Sequence, residues 1–207
     1  MSTAVIVLAA GGSRRLGRPK QLVPWRGKPL LQSVVDAVAT WPAEIVVVVL
    51  GASAEEILDA VDFGGAIVAI NDDWEEGIAA SVRVGFDILG RDSHFERAFV
   101  ALGDQPEIPP EIPQGLLDAL ESTDRPAIMP VYRYERANPV LFDRRLWPRL
   151  MALEGDHGAS DLLRGHPEWV EEVRFDHLPP RDIDTEDDVA DLGGDPKKPG
   201  TSPSSTR

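Results

Sequence analysis

Two rhythms of apolar residues alternate along the first 131 positions. Ala4-Val-Ile-Val-Leu8 and Glu44-Ile-Val-Val-Val-Val-Leu50 are short, continuous, largely β-branched runs, the mark of strands covered on both faces. Between them Leu31, Val34, Val35 and Val38 fall at i, i+3, i+4 and i+7, the spacing of one helix face. The pattern then repeats. Ser53 and Glu56 read as a capping box ahead of a helix carrying Ile57, Leu58 and Val61. A strand is expected over residues 66–70, a helix from Ile78 to Leu89 and a strand over 97–102. Leu116, Leu117 and Leu120 lie on a further helix, and a strand over 127–131 follows.

Alternation of this kind predicts an α/β chain with a doubly wound, mainly parallel sheet in a single domain. Ligands of such sheets sit beyond the carboxyl ends of the strands. Past Pro139 the pattern loosens. Val140 to Phe142 reads as an added strand, Arg144 to Leu153 as a helix containing Pro148, and Val170 to Phe175 as another strand. Thr185 with Asp188 should cap a last short helix. The domain is expected to span 1–194. Residues 195–207 have little apolar content and read as a disordered tail.

Composition narrows the function classes. At 207 residues, 43% hydrophobic and 27% charged, the chain has globular values. It has no cysteine, which excludes disulfides and thiolate metal sites. No apolar run approaches the length of a membrane span, so a cytoplasmic protein with no membrane partner is expected. Thirty-five acidic residues stand against 21 lysines and arginines, for a net charge of −14. That balance argues against a nucleic-acid partner.

Against this acidic background one stretch reverses sign. Arg14, Arg15, Arg18, Lys20, Arg26 and Lys28 fall within fifteen positions with no acid among them, directly after Gly11 and Gly12. Glycines let backbone turn sharply and approach a ligand, and the cations suit a polyphosphate. Two familiar phosphate loops do not fit. Arg18-Pro19 stands where a P-loop needs Lys and Ser or Thr, and no G-x-G-x-x-G follows the first strand. A second candidate is Gly103-Asp104-Gln105-Pro106. A carboxylate at the end of a buried strand is a natural Mg²⁺ ligand, and equally a turn cap before proline. Arg181-Asp-Ile-Asp-Thr185 offers Asp182 or Asp184 as a second acid.

Leu8-Ala-Ala-Gly-Gly-Ser-Arg-Arg-Leu-Gly-Arg-Pro-Lys20 resembles the signature L-A-A-G-x-S-x-R-(L/M)-G-x-P-K. It belongs to the molybdenum cofactor nucleotidyltransferases (MobA-like NTP transferases), and G-D-Q-P is typical of their cytidylyltransferase branch. The resemblance implies a Rossmann-like nucleotidyltransferase fold and Mg²⁺-dependent transfer of CMP from CTP to the phosphate of molybdopterin cofactor. It assigns Arg15, Lys20 and Asp104 to catalysis. Leu8, Ala9, Ala10, Gly11, Gly12, Arg15, Lys20, Asn71 and Ser81 would bind nucleotide, the last two from a likeness to N-x-x-x-x-x-G-x-x-x-S. Asp104 and Asp184 would hold the metal. Gln105, Asn138, Pro139 and Asp156 would bind the acceptor, by likeness to R-G-(H/N)-P-V-L-F and G-D-x-G-A-R.

The sequence departs from those last blocks at Ala137 and Ser160, which weakens the expected grip on an anionic acceptor. Trp74 is expected to serve packing rather than base stacking, and His157 reads as a loop histidine. Three alternatives stand beside this reading. One is a nucleotidyltransferase using another acceptor or GTP. The others are a non-catalytic maturation chaperone for a molybdenum hydroxylase apoenzyme and a pterin-binding sensor.

Overall fold

The computed structural model describes residues 2–183 together with Thr185, Asp187 and Asp188. Asp184, the end of the expected domain and the expected tail 195–207 lie outside the described residues.

The first strand, β1 (Ser2–Ala9), is buried along its whole length. A short hairpin, β2 (Pro24–Trp25) and β3 (Lys28–Pro29), separates it from α1 (Leu30–Val38). Next come β4 (Ile45–Leu50), α2 (Ala54–Ala60), β5 (Ile67–Ile70) and α3 (Ile78–Gly90). β6 (Phe95–Leu102), α4 (Glu111–Leu120) and β7 (Ala127–Tyr132) complete the regular alternation. β8 (Glu135–Arg136), β9 (Val140–Asp143), α5 (Trp147–Leu150), α6 (Ala159–Gly165) and β10 (Val170–Phe175) follow.

The strands form one sheet in the order β10-β7-β9-β6-β1-β4-β5, with β8 paired to β7. β1 lies parallel to both β4 and β6, β5 parallel to β4, and β10 parallel to β7. β9 runs antiparallel between β6 and β7. The fold is thus an α/β, doubly wound, mainly parallel sheet.

Strand side chains point alternately to two faces, and β1 divides accordingly. Ala4, Ile6 and Leu8 join Val82 and Phe86 of α3, Trp147 of α5 and Leu163 of α6 on one side. Val5, Val7 and Ala9 join Leu31 and Val35 of α1, Ile57 of α2 and Ile112 of α4 on the other. Covering on both faces is what made the strands read as unbroken apolar runs. Among the described residues no helix is long and apolar enough to cross a membrane.

Local expectations differ from the structure in two places. Ser53 precedes α2, but with φ 56° it is left-handed and its side chain makes no capping hydrogen bond. An N-cap oxygen reaches the second or third helical N–H only from an extended backbone. The helix expected over 144–153 is a 3-10 turn, Arg144–Leu146, followed by the one-turn α5 with Pro148 in its first turn. Proline lacks the N–H that a helix interior needs, so the helix begins there instead of running through. Thr185 and Asp188 do cap each other: the Thr185 N–H donates to Asp188 Oδ2 at 2.7 Å and the Asp188 N–H to Thr185 Oγ1 at 3.2 Å.

Candidate active site

β1 and β6 are neighbours and parallel, so the segments that leave their carboxyl ends meet. The Gly103 N–H donates to Leu8 O at 2.9 Å, and a Cβ on Gly103 would lie 2.7 Å from Ala9 Cβ. Only glycine lets the two strand ends approach this closely. The loop after β1 is then tied from below by Gln21, whose Nε2 donates to Ala9 O at 2.7 Å and Gly11 O at 3.1 Å. The Lys20 N–H donates to Ser13 Oγ at 2.9 Å. These bonds fold the basic stretch back under its own glycines and bring Lys20 Nζ onto Asp104 Oδ2 as an ion pair.

Asp104 itself is buried, and its Oδ1 has no hydrogen-bond partner among the described residues. Burial raises its pKa, the Lys20 charge lowers it, and the Asp182 charge raises it. Asp182 accepts a hydrogen bond from Gln105 Nε2 at 2.7 Å, and the wholly buried Ile183 beside it anchors the segment in a cluster with Val23, Trp25 and Leu30. A buried, unpartnered carboxylate oxygen costs stability unless a donor or cation meets it. An all-oxygen set with one buried carboxylate and a second acid near it suits a hard divalent cation, which takes its remaining ligands from phosphate and water. The residues present therefore fit such an ion.

A cavity of about 370 Å³ opens beside this pair. Its walls include Leu8 through Gly12, Lys20, Ser81 and Asp104, together with Arg14, Gln21, Trp74, Ile78 and Asp156. Arg15 does not line it, and Arg14 does. Asn71 stands behind the wall, buried, donating through Nδ2 to Ser81 Oγ at 3.0 Å. Asp156 lies in this cavity, beside Gly77, and not with the other residues expected at the acceptor. Gln105 and Asn138 line a second, wider cleft of about 620 Å³ with Arg136, Ser160, Arg181 and Asp182. Pro139 is buried and follows a cis peptide bond; it does not line that cleft. Asp184 lies outside the described residues.

A family model described as a MobA-like NTP transferase domain matches residues 5–172. The chain belongs to that family. It is 30% identical over 193 residues to the nicotine blue oxidoreductase of Paenarthrobacter nicotinovorans, covering 87% of this chain and 91% of that protein. Among solved structures, Rv0371c from Mycobacterium tuberculosis H37Rv superposes with a TM-score of 0.84 at 32% identity, over 93% of this chain and 97% of that one. A second structure of the M. tuberculosis protein, in complex with manganese, superposes with a TM-score of 0.80 at 28% identity, over 93% and 98%. The nucleotidyltransferase superfamily and the nucleotidyltransferase fold follow directly from these matches.

Gln21 and the Gln105–Asp182 contact had escaped the motif, and Trp74, expected to serve packing, lines the cavity as well. Gln21 carried a signal, a polar residue next to the lysine inside an otherwise apolar turn, Leu22-Val23. The partner of Gln105 is 77 positions away, and only the fold brings the two together.

Proposed function

We propose that this MobA-like protein transfers CMP from CTP to the phosphate of molybdopterin cofactor, with Mg²⁺, releasing pyrophosphate. The buried Asp104 carboxylate, paired to Lys20 through one oxygen and unpaired at the other beneath a glycine-rich loop, carries this reading. An acceptor phosphate oxygen attacks the α-phosphorus of CTP and forms the new P–O bond. The bond from that phosphorus to the bridging oxygen breaks, and pyrophosphate leaves with the electron pair. Lys20, with Arg14 or Arg15 of the loop, neutralises charge building on the α- and β-phosphate oxygens. Asp104 and an acid of the 182–184 segment would hold the cation, which when bound screens the transferring group. No protein nucleophile is needed, since this chemistry rests on positioning and cations.

CTP over GTP is supported by Ala10. Its methyl lies at the cavity wall beside the Gly51 backbone, where an added Cβ would sit 2.9 Å from it. A misfitting purine should cost about 1–3 kcal/mol by analogy with small steric changes in other pockets. Thermal unfolding with each nucleotide and Mg²⁺ tests this, since ligand at 100 times its dissociation constant adds roughly 2.7 kcal/mol. Equal shifts, or a larger one with GTP, would remove the cytidylyl assignment. Labelled CTP, Mg²⁺ and the pterin cofactor together test transfer itself.

The near full-length match to a protein named for nicotine blue oxidoreduction favours a second reading. A chain without cysteine has no thiol electrons to give. As a reductase it would hold a reduced nicotinamide nucleotide in the cavity and an aromatic substrate in the wider cleft. Pyrophosphate release from CTP supports the first reading; loss of nicotinamide absorbance with nicotine blue supports the second. Nucleotide binding with neither would leave a carrier that serves a molybdenum hydroxylase.

A further inference from the structure

We infer that Trp74 is the nucleobase platform of the cavity and, together with Ala10, bounds the space for the base. The inference rests on the nucleotide reading above and deepens it. Four parallel strands lie side by side in the order β6-β1-β4-β5, about 4.8 Å apart. Asp104 follows the first, Gly11 the second, Gly51 the third and Asn71 the fourth. The cations, Lys20 in its pair with Asp104 and Arg14, stand at the β6 and β1 end. Toward β4 and β5 the wall carries Trp74 and Ile78, with the carboxylates of Glu75 and Asp156 on the same stretch of wall. The two ends are thus about two strand spacings, ~10 Å, apart. A nucleotide is polar in the same sense, phosphates at one end and an aromatic ring at the other.

The indole is wedged into the glycine loop. A Cβ on Gly12 would lie 2.7 Å from Trp74 Cζ3, and one on Gly51 would lie 2.6 Å from Trp74 Cβ. Ala10 closes the same corner, since its Cβ would be 2.9 Å from that hypothetical Gly51 Cβ. Two positions without side chains therefore make room for one ring next to the loop.

The backbone under the ring is braced as well. The Asp73 N–H donates to Asn71 Oδ1 at 3.1 Å, the Glu76 N–H to Asp73 O at 3.0 Å, and Asn71 Nδ2 to buried Ser81. Asn71 thereby acquires a task without touching the cavity: it fixes the turn that presents Trp74. Ile78, 37% exposed at the start of α3, supplies apolar surface at the same end. Aromatic faces bind bases by stacking, with little demand on sequence of donors and acceptors. Ala10 and Trp74 meet at one corner beside Gly51, so the methyl and the indole together bound the space for a base.

The test uses intrinsic fluorescence and calorimetry on the full chain with CTP and with GTP, each with Mg²⁺. Trp25, Trp41 and Trp147 are at most 6% exposed, and Trp169 stacks on His166 away from the cavity, so a binding-linked emission change reports on Trp74. CTP should quench wild-type emission, and Trp74→Phe should bind CTP without that quench. Trp74→Ala should weaken CTP about tenfold or more, as loss of a stacking platform does, and bring the CTP and GTP affinities closer together. Should Trp74→Ala fail to fold by circular dichroism, the quench lost in Trp74→Phe decides the matter. CTP binding unchanged in Trp74→Ala, or a quench that persists in Trp74→Phe, overturns the inference and leaves the nucleotide reading standing. Calorimetric silence of the wild type toward both nucleotides overturns both.

Discussion

The cavity beyond β1 and the cleft beside the segment that leads into β9 share Leu102 in their walls and are made of different materials. The cavity is built from strand ends, glycines and side chains held in buried bonds: Gln21 on two loop carbonyls, Asn71 on Ser81, Lys20 on Asp104. The cleft is lined by longer, more exposed side chains, Glu135, Arg136, Arg181 and Asp182 among them, and Arg136 is already engaged with Glu172. The likeness to the family motif holds through the first and breaks at Ala137 and Ser160 in the second. Under the proposed function, a site that must accept one common donor is served by rigid backbone, and a site tuned to a particular acceptor by surface side chains that exchange at little cost in stability.

If this contrast holds, variants in the cavity should cost far more than variants in the cleft. Asp104→Asn should show the largest effect, a loss of transfer of about a thousandfold or more. The same variant should unfold at a higher temperature than the wild type at pH 7 without ligands. Burial raises the folded-state pKa of Asp104 above 3.8, so the folded state binds that proton more readily than the unfolded chain. The residue then favours folding below the unfolded pKa and opposes it as pH climbs past that value. A lower melting temperature at pH 7 would show that the Lys20 pair outweighs burial.

Next in size is Gly103→Ala. Its Cβ would meet Ala9 Cβ at 2.7 Å and Leu8 O at 3.2 Å, so the two strand ends must part. Overpacking of this kind costs roughly 1–3 kcal/mol, to be read from denaturant unfolding, and CTP binding should fall with it. Wild-type stability would mean that the β1 and β6 ends are freer than their contacts imply.

Smallest is Arg181→Ala in the cleft. An exposed arginine should change stability by no more than about 0.5 kcal/mol. CTP affinity should stay the same while the acceptor KM rises several-fold. An equal effect on both substrates would erase the distinction between cavity and cleft.

Much of this design was legible in the amino-acid order, because strand burial and helix faces leave local periodic traces. The runs at 4–8 and 44–50 and the spacing of Leu31 to Val38 specified strands and a helix before any contact was known. Gly11-Gly12 with its arginines and Gly103-Asp104 marked two strand ends with the chemistry of a polyphosphate site. Pairing across the sheet leaves no such trace. That β6 lies next to β1, so that Lys20 meets Asp104, and that β9 enters antiparallel between β6 and β7, depend on packing among residues up to a hundred positions apart. For the same reason Asp156 could be grouped with Gln105 and Asn138 from its motif and yet stand apart from them, in the cavity of the glycine loop and against Gly77. Trp74 shows the limit most clearly. Its sequence neighbours are acids, and only the tertiary structure, by wedging its indole against Gly12 and its Cβ against Gly51, makes it a wall of the site.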